Sequence, residues 1–374
     1  MLNACSDTDE APGNQEKNRV MLELRPYAPS FLDVEPIKTR AFPQDFSGYY
    51  PYDDNHVSGQ FTPQRTIQDK TIHVLFFNQT ATGTLAENLE EGTFYKSGAN
   101  WRSLVEMETD PYYLFGYIPY GVASGVEDID YRVDGDLSKG IKFTIKKLSS
   151  VTPSDVCVIV AAGRGNDSGP DEGFALGKFS YQAKQSEEQN YVYLLFDHIY
   201  ASICFSFKVD AEYDKLRTIK IKKLRLLSSS MTRYVDAKIT LYGNDDGVSP
   251  LRNTSVEFTD NGTDTADGVN DGLLFDETKG NVGPIVLSPD EPSDFLGCFV
   301  PGEYDPFTLE TTFDVYDKKG NRVRKDCVAT NSIKPSSSIK KRGTMLKLTL
   351  TVNPTYLYVL SEPDLDNPTV VENE

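Results

Sequence analysis

The sequence predicts an all-β protein built as two β-sandwiches in tandem, and three features of the chain lead to that reading. In residues 199–209, Ile199, Ala201, Ile203, Phe205, Phe207 and Val209 fall on one face, while Tyr200, Ser202, Cys204, Ser206 and Lys208 fall on the other. That period-two alternation is the pattern of a half-buried strand. Similar runs recur along the chain between clusters of Gly, Pro and Asp, with no amphipathic helical pattern of useful length, which indicates antiparallel sheets. Finally, the 374 residues exceed the roughly 250–300 that one core organises. The polar run 184–190 supplies a junction. The expected organisation is an extended N-terminal arm over residues 1–45, a first sandwich over 46–188, and a second over 189–374 that ends in a C-terminal strand segment.

Taken in order, Val20, Leu22 and Leu24 alternate in a short strand pattern at 20–24. Residues 26–65 are rich in Pro, Asp and aromatics with little periodicity, as in an extended or wrapping arm. Continuous strand signals start at 71–77, where His73 alternates inside an apolar run. They continue at 112–120, which ends at a Pro, and at 141–145 and 156–162. A Gly/Asp-rich turn region covers 164–173. Residues 191–209 read as one long strand opening the second half, followed by 216–226, 237–242, 272–275, 281–287, 294–300, 307–316 and 344–352. Between them, 243–272 reads as a long Asp/Asn/Gly loop. After Asn353-Pro354, the alternation resumes in 356–360. No short-period repeat suggests a solenoid or propeller.

Charge and chemistry narrow the function. A formal net charge of −18 is wrong for nucleic acid, whose binding rests on Lys and Arg neutralising phosphates, and for direct docking on anionic lipid. Five cysteines without a C-x-x-C pair form neither a disulfide framework nor a zinc motif. Cys157 and Cys204 read as small core residues, while Cys298 and Cys327 would pair only in an oxidising compartment. The three histidines, His56, His73 and His198, lack metal-ligand spacing, and His73 and His198 read as structural. Nucleophile-elbow and phosphate-loop patterns are missing. Asp245, Asp246 and the acidic residues of 260–271 offer oxygen atoms to calcium without the spacing of an EF-hand. Trp101 reads as core. The residues suggest no enzyme and no cofactor.

Several segments carry a family resemblance. Leu2-Asn3-Ala4-Cys5 resembles the end of a bacterial lipoprotein signal peptide, and the acidic 6–10 tract resembles a surface-export tag. Phe196-Asp197-His198-Ile199-Tyr200-Ala201 resembles the Phe-x-His-x-x-Ala strand of the fimbrillin family, the subunits of type V pili and related surface lipoproteins. Tyr117-Ile118-Pro119-Tyr120 resembles that family's aromatic strand end, residues 155–162 its strand closing the first domain, and 352–358 its C-terminal strand.

The resemblance implies two transthyretin-like Greek-key sandwiches, acylation at Cys5, and a lipid anchor in the outer membrane. It further implies tryptic-type processing between Arg40 and Ala41, with Arg65 as a second position. Removal of an N-terminal strand then opens a groove that a neighbouring pilus subunit fills with a donated strand, an instance of β-augmentation. Here Val20, Leu22 and Leu24 would form the leaving plug, and Thr355, Tyr356, Tyr358 and Leu360 the donor strand. The expected partners are other pilus subunits, together with a host or bacterial surface ligand. The alternative is a surface lipoprotein that binds glycan or host protein without polymerising.

Overall fold

Strands whose every side chain is buried hold this molecule together, and they explain why parts of the sequence are apolar without alternation. The structure, a computed structural model, describes residues 19–25, 72–78, 88–97, 100–107, 110–133, 136–166, 168–171, 179–184, 190–229, 232–243, 254–261, 271–279, 282–302, 306–333 and 341–352. These residues form an all-β sandwich fold.

The first half contributes β1 (Arg19–Leu24), β2 (Ile72–Asn78), β3 (Leu89–Ser97), β4 (Asn100–Glu106), β5 (Tyr112–Ile118), β6 (Gly125–Val133), β7 (Asp136–Ser149), β8 (Val151–Thr152), β9 (Cys157–Asn166), β10 (Gly169–Pro170) and β11 (Ser180–Tyr181). The chain continues through β12 (Asn190–His198), β13 (Ala201–Val209), the short helix α1 (Ala211–Asp214), β14 (Arg217–Leu227), β15 (Tyr234–Tyr242) and β16 (Thr254–Asp260). It ends in β17 (Leu273–Asp276), β18 (Ile285–Val286), β19 (Ser293–Phe299), β20 (Phe307–Asp317), β21 (Arg322–Ile333) and β22 (Met345–Val352). Asp210 caps α1 by accepting from the Glu212 and Tyr213 N–H groups, as an N-cap carboxylate does.

Nine strands pair in the order β10-β9-β12-β1-β4-β3-β2-β5-β11, and β5 also returns to β9 through Tyr117↔Val158 and Ile118↔Cys157. Seven of them therefore close on themselves. Every contact in this ring is antiparallel except β1 with β12. A ring with an odd number of strands needs a parallel contact somewhere, and this one has it at β1. Inside lie Val20, Leu22, Leu24, Val74, Phe76, Phe94, Trp101, Leu114 and Ile159, all buried.

The outer faces of β2, β5 and β9 are covered as well. Leu75, Phe77, Phe115, Tyr117, Val158 and Val160 join a second core with Ile141, Phe143 and Ile145 of β7. The Phe115 and Phe143 rings lie 5.5 Å apart. Burial on both faces is why 72–77 reads as an unbroken apolar run. Three further sheets share this second core: β22-β13-β19-β8, β17-β14-β20-β21 with β18 on β14, and β16-β15-β7-β6.

Several expectations need correction. Residues 191–209 form two strands, broken at Ile199 and Tyr200; the Ile199 N–H still continues the β12–β9 register, donating to Val156 O at 3.0 Å. Nor is the second of them half-buried. β13 lies between β19 and β22, and Ser202 and Ser206 on its polar face are buried too. They are satisfied there by Cys298 Sγ at 3.3 Å and Asp294 Oδ1 at 2.5 Å.

Two sheets cross the expected 188/189 division: β12 belongs with β9 and β1, and β7 pairs with β15. The loop expected over 243–272 contains β16, whose Thr254, Val256 and Phe258 alternate along β15. Among the described residues of 281–287, β18 alone is a strand. Cys298 and Cys327 are free thiols on different strands, as are Cys157 and Cys204.

Candidate functional site

The lipidation, processing and donor-strand candidates, Cys5, Arg40, Ala41, Arg65, Thr355, Tyr356, Tyr358 and Leu360, lie outside the described residues. The plug segment does not. It is β1, and it sits in the middle of the ring between strands that come from distant parts of the chain.

Against β4, the register runs from Arg19↔Glu106 to Leu24↔Trp101; against β12 it covers Leu22↔Asn190 to Leu24↔Val192. The Arg25 N–H extends the parallel seam, donating to Val192 O at 2.9 Å. Alternation aims Val20, Leu22 and Leu24 inward, where they are 5%, 2% and 3% exposed. Burial of such side chains contributes about 1.5–3 kcal/mol each. Without β1, β4 and β12 would present two unpaired edges flanking an apolar slot. That is the geometry in which an extended strand binds through backbone hydrogen bonds and alternate side-chain pockets.

The other face of β1 carries a charge cluster that sequence reasoning missed. Glu23 is 2% exposed and stands directly opposite Arg102 of β4. Arg102 donates from Nε at 3.3 Å and Nη2 lies at 3.2 Å, both on Glu23 Oε2. Arg25 Nε stands 3.5 Å from Oε1, and its guanidinium lies 4.2 Å from the Tyr191 ring centroid. A Glu within an apolar alternation was the available signal: Val-Met-Leu-Glu-Leu puts a carboxylate where a solvent-facing residue is ordinarily silent.

A second cluster joins β9 to the end of β12. His198 Nδ1 lies 2.9 Å from Asp155 Oδ2 and 3.3 Å from Cys157 Sγ, with all three side chains buried. Their ligand-type atoms lie within 4.8 Å of one another. The trio contains the residue types of a nucleophilic site and of a metal site. As a nucleophile Cys157 is badly placed, since burial, then the Asp155 and Asp197 carboxylates, push its thiol well above the usual range, whereas reactive cysteines have lowered values and some exposure. As a metal set it supplies three donors, and a closed structural zinc site requires four. The cluster instead ties Asp155, ahead of β9, to His198 beside the strand break. Arg342 reinforces that corner by donating to Asp197 Oδ2 at 2.7 Å and His198 O at 3.0 Å.

Around His73 the ring is edge-on to Tyr117, with centroids 5.1 Å apart, and Nε2 lies 3.1 Å from Glu91. It is a packed, partnered core side chain. Trp101 is likewise core, at 1% exposure.

No family model matches the chain, and no curated protein matches it. Among solved structures, it resembles a candidate adhesin from Bacteroides ovatus at 11% identity and a TM-score of 0.22, covering 95% of this chain and all of the other. A candidate cell adhesion protein from the same organism aligns at 13% identity and a TM-score of 0.28, covering 76% and 82% of the two chains. A fimbrial protein from that organism aligns at 9% identity and a TM-score of 0.28, over 82% of this chain and 48% of the other. At such low TM-scores, the fold and the site rest on the chain's own residues.

Proposed function

We propose that this chain is a cell-surface pilus subunit or pilus-associated adhesin that assembles by exchange of its first strand. The observation that carries the reading is the position of β1. It is local to nothing it touches: residues 26–71, which include Arg40 and Arg65, separate it from β2, and its pairing partners are β4 and β12. Cleavage anywhere in that stretch would leave β1 held only by non-covalent contacts, with the entropy of dissociation then opposing them.

In this reading Cys5 carries the lipid anchor that holds the uncut chain in the outer membrane, Arg40–Ala41 is the processing point that frees the rest of the chain from it, and residues 355–360 belong to the donated strand. Two sandwich units belong to this reading, with β7 and β8 of the first half pairing with β15 and β19 of the second. No catalytic role is assigned to the chain.

The test is controlled trypsin treatment of the intact protein, with N-terminal sequencing of the product and light scattering before and after. Cleavage after Arg40 followed by growth of multimers supports strand exchange. A cut protein that stays monomeric when β1 has gone rejects it and favours the non-polymerising surface lipoprotein that binds glycan or host protein. Multimers from uncut protein reject the role of β1 as a plug.

A further inference from the structure

We propose that the β1 groove selects its incoming strand by charge, accepting an acidic residue one position before the last of three alternating apolar residues, and that the strand comes from a different subunit. The inference rests on the strand-exchange reading and adds the identity of the partner.

Two parts of the site lead to it. The apolar pockets that receive Val20, Leu22 and Leu24 ask only for alternation, which many strands satisfy. The opposite face is more demanding. Arg102 belongs to β4 and stays in the molecule when β1 leaves, whereas Glu23 departs. The carboxylate it meets is 2% exposed and receives two guanidinium contacts, at 3.2 and 3.3 Å. Charge-assisted pairing of this kind is both stronger and more directional than an ordinary hydrogen bond. A replacement strand with an apolar residue at this register would leave the Arg102 guanidinium, 36% exposed in the intact molecule, without its carboxylate partner.

This chain's own donor candidate makes that substitution. Aligning Tyr356, Tyr358 and Leu360 with Val20, Leu22 and Leu24 sets Val359 at the register of Glu23. A second copy is therefore the weaker occupant. A partner subunit whose strand reads apolar-x-apolar-acidic-apolar is the stronger one. The strand must also run parallel to β12 and antiparallel to β4, as β1 does. Selection here works through a charge-assisted pair that the right partner makes with Arg102 and the wrong one does not.

The test uses the full chain after trypsin cleavage, with the protease quenched and the cut segment exchanged out in mild urea. Fluorescein-labelled peptides are then added and their anisotropy followed. The probes are the residues 18–25 peptide, the same peptide with Glu23→Val, the residues 354–361 peptide, and that peptide with Val359→Glu. The expected result is that Glu23→Val weakens binding at least about fivefold, and that Val359→Glu strengthens the C-terminal peptide by a similar factor. Both differences should shrink to less than twofold on Arg102→Gln protein. Equal binding of the Glu and Val versions to the native chain overturns the charge rule while leaving strand exchange standing. If none of the four peptides binds, the strand-exchange reading fails and takes the rule with it.

Discussion

Asp155 shows how much one buried side chain is asked to do. Its carboxylate reaches His198 at 2.9 and 3.1 Å and lies 3.7 Å from the Cys157 sulfur, with no part of the trio open to solvent. The residue precedes β9, while His198 ends β12, so the contact fixes the corner at which the chain leaves one sheet for the next. Removing one member of a buried, mutually satisfied set leaves its partners desolvated without compensation, which costs more than the pair contributes when intact. Asp155→Ala is expected to lose about 2–4 kcal/mol of unfolding free energy. Urea denaturation compares it with the native chain; an unchanged midpoint would mean that His198 finds another acceptor.

At the scale of elements, the long edge strand β21 shows how the fold avoids unwanted pairing. Among the described strands it pairs with β20 alone, is largely exposed, and carries Arg322, Arg324 and Lys325. Its ladder slips between Phe313 and Val315, and Asp326 adopts a left-handed φ of 51° there. Asp314, 4% exposed, pins this irregularity by accepting the Asp326 N–H at 2.7 Å, with Arg322 Nη1 at 3.4 Å on its other oxygen. Bulges and charges are the usual protection of a free edge. Asp314→Ala is expected to cost about 2 kcal/mol and to increase self-association, read by urea denaturation and by light scattering at matched concentration. The same contrast explains what could be read in the sequence. β2, β5, β13, β19 and β20 were legible because burial imposes apolar residues on them, and β1 was legible from three alternating residues. β3, β6 and β21 were not, because strands whose side chains meet solvent or other polar groups leave no periodic signature; β4 was missed although Trp101, Ser103 and Val105 alternate as buried residues along it. The break within 191–209 was missed for a related reason. Residues 191–209 look continuous, since both strands are buried, and the break falls at Ile199 and Tyr200, between β12 and β13. In the candidate site, the plug was visible as Val20, Leu22 and Leu24, but the Glu23–Arg102 pairing required a register between residues far apart in the chain.

For the whole molecule, the distribution of buried protons sets an asymmetric response to pH. Burial pushes the Tyr117 phenol up to about 12, helped by Tyr120 and Glu91. Burial also raises the Cys204 thiol to about 12, with Asp294 raising it further and Lys347 opposing. The thiols of Cys157 and Cys298 are driven well above the usual 9.0, burial again being the main cause. Each group holds its proton more tightly in the folded chain than in the unfolded one. Their stabilisation is therefore complete below pH 9 and is lost as the pH rises from there towards 12. Lys146 and Lys222, raised chiefly by hydrogen bonds to Asp236 and Asp326, lose stabilisation in the same direction above their usual 10.5. At the acid end the sign reverses. The Asp236 carboxyl is lowered although its burial opposes this, because Lys146, the Lys147 N–H and Asn261 all bond to it; Asp276, Asp317 and Asp326 are lowered by bonds from Thr278, Asn321 and Lys222, respectively. Their contribution is present above the usual 3.8 and disappears as the pH falls through the lowered values. These last three are solvent-facing and screened, so the acid limb is the shallower. Urea midpoints measured across pH should hold level from about 5 to 8.5 and fall steeply by 10.5. Tyr117→Phe, which removes one of the buried protons, should narrow the difference between pH 7 and 10.5; a midpoint that does not move over that interval would show that these groups ionise as freely in the folded chain as in the unfolded one.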